Sequence, residues 1–132
     1  PLLPVANAFR KVGRMDEAGY LTIADRLKDM IITGGENVYS AEVEAALRTH
    51  PAVETVAVVG VPDAQWGEAV HAVVVLRAAV AADDAVAEDL RAWCRRELAG
   101  YKCPRAIRFV PALPMSAAGK VLKNVLRAEL RP

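Results

Sequence analysis

The chain has 132 residues, a formal net charge of +1, and a composition 54% apolar but only 5% aromatic. That balance excludes intrinsic disorder and fits one globular domain with a real core, too small for a complete multi-substrate enzyme. No apolar run approaches the roughly 20 residues that span a bilayer and no basic-then-apolar leader opens the chain, so no membrane span is expected and the location is read as cytoplasmic.

The charge is segregated along the chain. Residues 1–90 carry 7 Lys/Arg against 14 Asp/Glu, whereas residues 91–132 carry 10 against 2. Such asymmetry points either to an anionic ligand near the C-terminal third or to pairing of the two ends across the folded domain. The basic third lacks an aromatic-interleaved recognition motif, so no nucleic acid is expected.

Residues 1–19 start Pro-Leu-Leu-Pro, show no periodicity and end in the turn signal Asp16-Glu17-Ala18-Gly19, so they read as a linker. A start at Pro1 rather than Met reads as a processed start or a piece of something longer. Tyr20-Leu21-Thr22-Ile23 and Met30-Ile31-Ile32-Thr33 are short strand-like runs around the charged segment 25–29, which predicts a hairpin with a charged turn. Gly34-Gly35 then breaks the strand, with neither the Walker nor the dinucleotide spacing.

Ser40 is a good N-cap for a helix over about 41–49, with Val43, Ala46 and Leu47 facing the core and Glu42 and Glu44 as cap and surface charge. His50 before Pro51 reads as a partner of the helix C-terminus. Val53–Val61 and Ala69–Leu76 are two strands whose short connection, with Trp66 as either a lid over the core edge or a stacking platform, makes them antiparallel. His71, inside the second strand, reads as structural.

Asp83 and Asp84 open a helix with Val86, Leu90, Trp93, Cys94 and Leu98 on one buried stripe, and Gly100 ends it. Cys94 reads as inert packing and Cys103, in a loop, as the more reactive thiol. Their spacing fits neither a redox dithiol nor a zinc motif, so no metal site is inferred. Ala106–Val110 is a further strand and an amphipathic helix runs to Leu130. The fold class is α+β: a small N-terminal β-hairpin, then a three-stranded, largely antiparallel sheet packed by about three helices.

Three motifs carry chemistry. The run Asp25 to Glu44, with Lys28 and Gly34-Gly35-Glu36-Asn37-Val38-Tyr39, resembles the segment where adenylate-forming enzymes of the acyl-CoA synthetase and aryl-CoA ligase branch pass from a large N-terminal domain into a small mobile C-terminal one. Leu98-Ala99-Gly100-Tyr101-Lys102-Cys103-Pro104-Arg105 is similar to a second signature of that family, and Leu113-Pro114-Met115-Ser116-Ala117-Ala118-Gly119-Lys120 to a third. The likeness covers about residues 12–130. It departs at Ser40, where many relatives have Pro, at Cys103, where some have Arg, and before Val12-Gly13, where the ribose-binding Asp of the family is absent.

The resemblance implies a C-terminal lid domain over 20–132, tethered by 1–19 to an N-terminal adenylation domain missing from this chain. It implies ATP with Mg2+ and coenzyme A, a carboxylic acid substrate, adenylation with Lys120 engaged, rotation about Lys28, and thioester formation with Gly34, Gly35 and Glu36 turned to the active site. Trp66, Tyr101, Lys102 and Arg105 would lie where the CoA nucleotide binds. The isolated chain is expected to be inactive, and the alternative is a free-standing remnant serving as an interaction or regulatory module.

Overall fold

The computed structural model describes residues 29–131. The expected linker, the strand Tyr20–Ile23 and the hinge residue Lys28 lie outside the described residues. Strand β1 (Met30–Thr33) pairs antiparallel with β2 (Glu36–Tyr39), Met30 opposite Tyr39 and Thr33 opposite Glu36. The Gly34-Gly35 corner therefore does more than end a strand. Both glycines have positive φ, 58° and 81°, which is what a two-residue hairpin turn of the inverse type demands, and the chain returns as a second strand.

Helix α1 (Ser40–Arg48) follows without a break, then β3 (Val53–Asp63) and β4 (Gly67–Leu76) form a long antiparallel pair from Val53 opposite Leu76 to Asp63 opposite Gly67. Asp63 shapes their connection by accepting from the backbone N–H groups of Gln65 and Trp66, both at 2.9 Å. Helix α2 (Asp84–Glu97) is capped by the Asp83 carboxylate, which accepts from Val86 N. It stops at Glu97 because Leu98 is already extended, and Gly100, expected to end the helix, opens a 3₁₀ turn (Gly100–Lys102). Strand β5 (Ala106–Phe109) runs parallel to β4, and α3 (Lys123–Leu130) closes the described fold.

The result is one α+β sheet of five strands in the order β2-β1-β4-β3, with β5 on β4. The expected three-stranded unit is β3, β4 and β5, and the hairpin joins it through Thr33 opposite Gly67. Strands β3 and β4 read as nearly continuous apolar runs because both sheet faces are covered. Val56, Val58, Val70, Ala72 and Val74 turn to a core shared with Val43 and Leu47 of α1 and Leu90 and Cys94 of α2. Ala57, Val59, Val61, Val73 and Val75 turn to a second core with Leu113 and with Leu126 of α3.

Two helix-end readings are corrected by packing. Ser40 is not an N-cap: it is the first residue of α1, 1% exposed, and its hydroxyl accepts from Lys123 Nζ at 3.1 Å. His50, read as a partner of the helix C-terminus, is buried and its ring is engaged elsewhere: Nδ1 accepts from Ala52 N, so Nε2 carries the proton toward Asp89 of α2 and ties the two helices together. Trp93 Nε1 adds to that tie by donating to Ala46 O and Thr49 Oγ1, both at 3.0 Å.

Candidate functional site

The glycine corner is set by Trp66. Gly34 N donates to Trp66 O at 2.9 Å, and a Cβ added at Gly34 would stand 2.8 Å from Trp66 Cε3, so only glycine lets the hairpin lie against the indole. On the same ring lies the Arg105 guanidinium, 4.2 Å from its centroid. Glu68 adds a strap: its carboxylate accepts from Ile32 N at 2.9 Å, crossing Gly60, where a Cβ would meet Glu68 Oε2 at 2.6 Å. Gly34, Trp66 and Arg105, three of the residues singled out from the sequence, are thus one cluster, with Gly35 and Glu36 exposed beside it.

Tyr101 and Lys102 sit in the 3₁₀ turn that lies against β2. Tyr101 is 46% exposed, with Lys102 Nζ 5.7 Å from its ring centroid. Lys102 is engaged by Glu42 at 2.9 Å, and the hydrogen bond that its ammonium donates to that carboxylate raises the lysine above its ordinary pKa. Arg105 is exposed and carries its charge to the surface, which suits it to a phosphate, and the exposed Tyr101 phenol is a flat surface that suits a base.

Neither thiol is activated. Cys94 is fully buried and burial pushes it up to about 11, the charge of Cys103 adding to the effect. Cys103, expected to be the more reactive, is also raised by burial, partly opposed by Arg95, and its Sγ points at Ala99 O. His71 is lowered by burial against an opposing pull from Asp63. Among the described residues no three of His, Cys, Asp and Glu come together as a metal site.

Lys120 occupies a different part of the fold. The segment from Leu113 to Leu122 covers the second sheet face through Leu113 and Val121 and folds into a tight turn. Met115 bridges Val121, Ser116 N donates to Lys120 O at 2.8 Å, Ser116 Oγ accepts from Lys120 N at 3.2 Å, and Leu122 N donates to Pro114 O at 2.8 Å. Gly119 takes φ of 82° at the corner, and Lys120 is exposed. An ammonium on a flexible stem, carried by a turn fixed through its own backbone, can be presented to a dianion without reorganising the turn.

One group of residues escaped the sequence reading. Glu44, taken as surface charge, is 8% exposed and accepts from Val58 N at 2.9 Å, which covers the outer edge of β3. Lys123 Nζ approaches Glu44 at 2.9 Å and Asp29 at 3.4 Å, and Arg127 approaches Asp29 at 3.5 Å. Asp29 O in turn accepts from Ser40 N at 3.3 Å. The signal was present: positions 40, 43, 44 and 47 make one helix face, so Glu44 falls on the buried stripe. The segregated charge is thereby partly explained, since Lys102, Lys123 and Arg127 of the basic third pair with Glu42, Glu44 and Asp29 of the acidic part.

The sequence model of the AMP-binding enzyme C-terminal domain matches residues 42–120, and the chain belongs to that family. Feruloyl-CoA synthase of an Amycolatopsis species is 49% identical over 116 residues, covering 88% of this chain and 23% of that protein. Long-chain-fatty-acid–CoA ligase FadD13 of Mycobacterium tuberculosis is 46% identical over 118 residues, 89% of this chain and 23% of that protein. Among solved structures, an acyl-CoA synthetase of Brucella canis superposes with a TM-score of 0.75 at 38% identity, covering 79% of this chain and 19% of that one. The ATP-bound RpMatB-BxBclM chimera B1 gives 0.76 at 45% identity, with 77% and 20% covered. The chain thus spans about a quarter of the length of the relatives it matches.

Proposed function

We propose that this chain is the mobile lid of an ATP-dependent acyl- or aryl-CoA ligase. In the first step a carboxylate oxygen attacks the α-phosphorus of ATP, supplied as its Mg2+ complex, and pyrophosphate leaves. Two anions are forced together there, and Lys120 offsets the charge as it develops. In the second step the thiolate of coenzyme A attacks the acyl carbonyl and AMP leaves, with the Gly34-Gly35-Glu36 corner turned toward the acyl-adenylate. Trp66, Tyr101 and Arg105 are then the residues suited to the CoA nucleotide, and Lys102 contributes less because Glu42 already holds it.

The observation that carries this reading is the separation of the two motif turns on one sheet. The glycine corner is packed on Trp66, and Lys120 sits on the connection across the second sheet face, so one rotation of the whole domain exchanges them. Lys28 suits the hinge because Asp29, next to it, is tied by its carbonyl and its carboxylate to α1 and α3. Rotation at Asp29 would cost those contacts, whereas rotation just before it would not. The N-terminal adenylation domain, with the acyl pocket, is the partner this reading requires.

In a full-length ligase carrying this domain, Lys120→Ala is expected to slow adenylation by on the order of 10²–10³, roughly 3–4 kcal/mol. Thioester formation from supplied acyl-adenylate and coenzyme A should run near the wild-type rate. An equal loss in both half-reactions would reduce Lys120 to a support of the fold. The 132-residue chain alone should unfold cooperatively and form no thioester; turnover above background would refute the lid assignment.

A further inference from the structure

Lys123 is the first residue of α3, where a cation meets the positive end of the helix dipole and is disfavoured. Its side chain is nevertheless only 15% exposed. Three acceptors converge on the ammonium: Glu44 Oε2 at 2.9 Å, Ser40 Oγ at 3.1 Å and Asp29 Oδ2 at 3.4 Å. Glu44 is itself fixed by Val58 N of β3, and Ser40 and Asp29 are fixed to each other through the backbone. One side chain therefore joins the start of α1, the edge of the sheet and the residue next to the proposed hinge.

We propose that Lys123 is a positioning residue for Lys120, an inference that rests on the reading of Lys120 as the adenylation lysine. The turn carrying Lys120 closes immediately before Lys123, through the Met115–Val121 bridge and the bond from Leu122 N to Pro114 O. Helix α3 contributes only Leu126 as a buried residue, so apolar packing alone holds this end of the chain weakly against sliding. Lys123 supplies the directional contact that packing lacks, and so fixes the Lys120 turn relative to Asp29. The glycine corner does not depend on it, being held by Trp66, Glu68 and the pairing of Thr33 with Gly67.

The test compares half-reactions in the full-length ligase carrying this domain. Lys123→Met should lower the adenylation kcat by on the order of 10- to 100-fold, the scale of a misplaced catalytic group. It should leave thioester formation from supplied acyl-adenylate near the wild-type rate, which also shows that the domain is folded. Lys123→Arg, which keeps the cation, should recover most of the loss. On a Lys120→Ala background, Lys123→Met should cost nothing further, because both act through one group. Glu44→Gln, which retains an acceptor for Val58 N but removes the charge facing Lys123, should show the same split to a smaller degree. Equal loss in both half-reactions, or an added loss on the Lys120→Ala background, would overturn the proposal and leave Lys123 a fold contact. Impairment by Lys120→Ala with none by Lys123→Met would overturn this inference alone. Unimpaired adenylation in Lys120→Ala would overturn the reading of Lys120 and this inference with it.

Discussion

The two faces of the sheet are built differently. One is covered by α1 and α2, with Val43, Leu47, Leu90 and Cys94 filling a continuous core beneath them. Among the described residues the other is covered by a connection and one short helix, where Leu113 and Leu126 are the buried contributions from outside the strands. The heavily packed face locks helices together by apolar contact, the His50–Asp89 pair and the bonds of Trp93. The lighter face holds Lys120 and relies on backbone turn bonds and the charged contacts of Lys123. If the domain acts as the proposed lid, its lysine is placed where little apolar packing has to be broken to seat it.

Truncations should expose this inequality first. Leu90→Ala, at a side chain with no exposure beneath α2, is expected to cost about 3–4 kcal/mol in urea unfolding, and Leu126→Ala on the lighter face about 2 kcal/mol. A larger loss at Leu126 would invert the comparison. The glycine turns sharpen it at a smaller scale. Gly34→Ala combines a left-handed backbone with a Cβ 2.8 Å from Trp66, so about 2–3 kcal/mol is expected. Gly119→Ala meets the same backbone restriction but no atom within 4 Å of its Cβ, so about 1–2 kcal/mol is expected. Equal losses at the two positions would mean that the contact with Trp66 contributes nothing.

Much of this was legible in the residues. The strands β3 and β4 announced themselves as apolar runs joined by too short a connection for a crossover, and the stripe of α2 through Leu90 and Cys94 matched its buried face. The second strand of the hairpin was missed because Gly34-Gly35 was treated as an end, although two adjacent glycines can turn a chain back on itself. Glu44 was misplaced for a different reason: a carboxylate near a helix start has an ordinary explanation there, and the partner that makes its burial tolerable, Lys123, lies far along the chain. The motif residues were legible one at a time. That Gly34, Trp66 and Arg105 share one indole was not, since their meeting is a property of strand pairing and not of spacing.

The smallest expected effect tests how dry the heavily packed face is. Burial raises Cys94 from the ordinary thiol value of 9.0 to about 11, so between those values the unfolded chain releases a proton that the folded chain keeps. A group raised in the folded state contributes stability that is whole below the unfolded pKa and is lost as the pH climbs toward the folded one. At neutral pH the linkage is therefore silent, and at pH 10 it should remove about 1 kcal/mol. Cys103 is raised by burial as well, so the quantity to measure is the difference between the wild type and Cys94→Ala from pH 8 to pH 10. Cys94→Ala starts lower because of the cavity it leaves, but its stability should fall less steeply with pH. Parallel curves would mean that water reaches Cys94 and that the core under α2 is looser than its neighbours Leu90 and Val58 indicate.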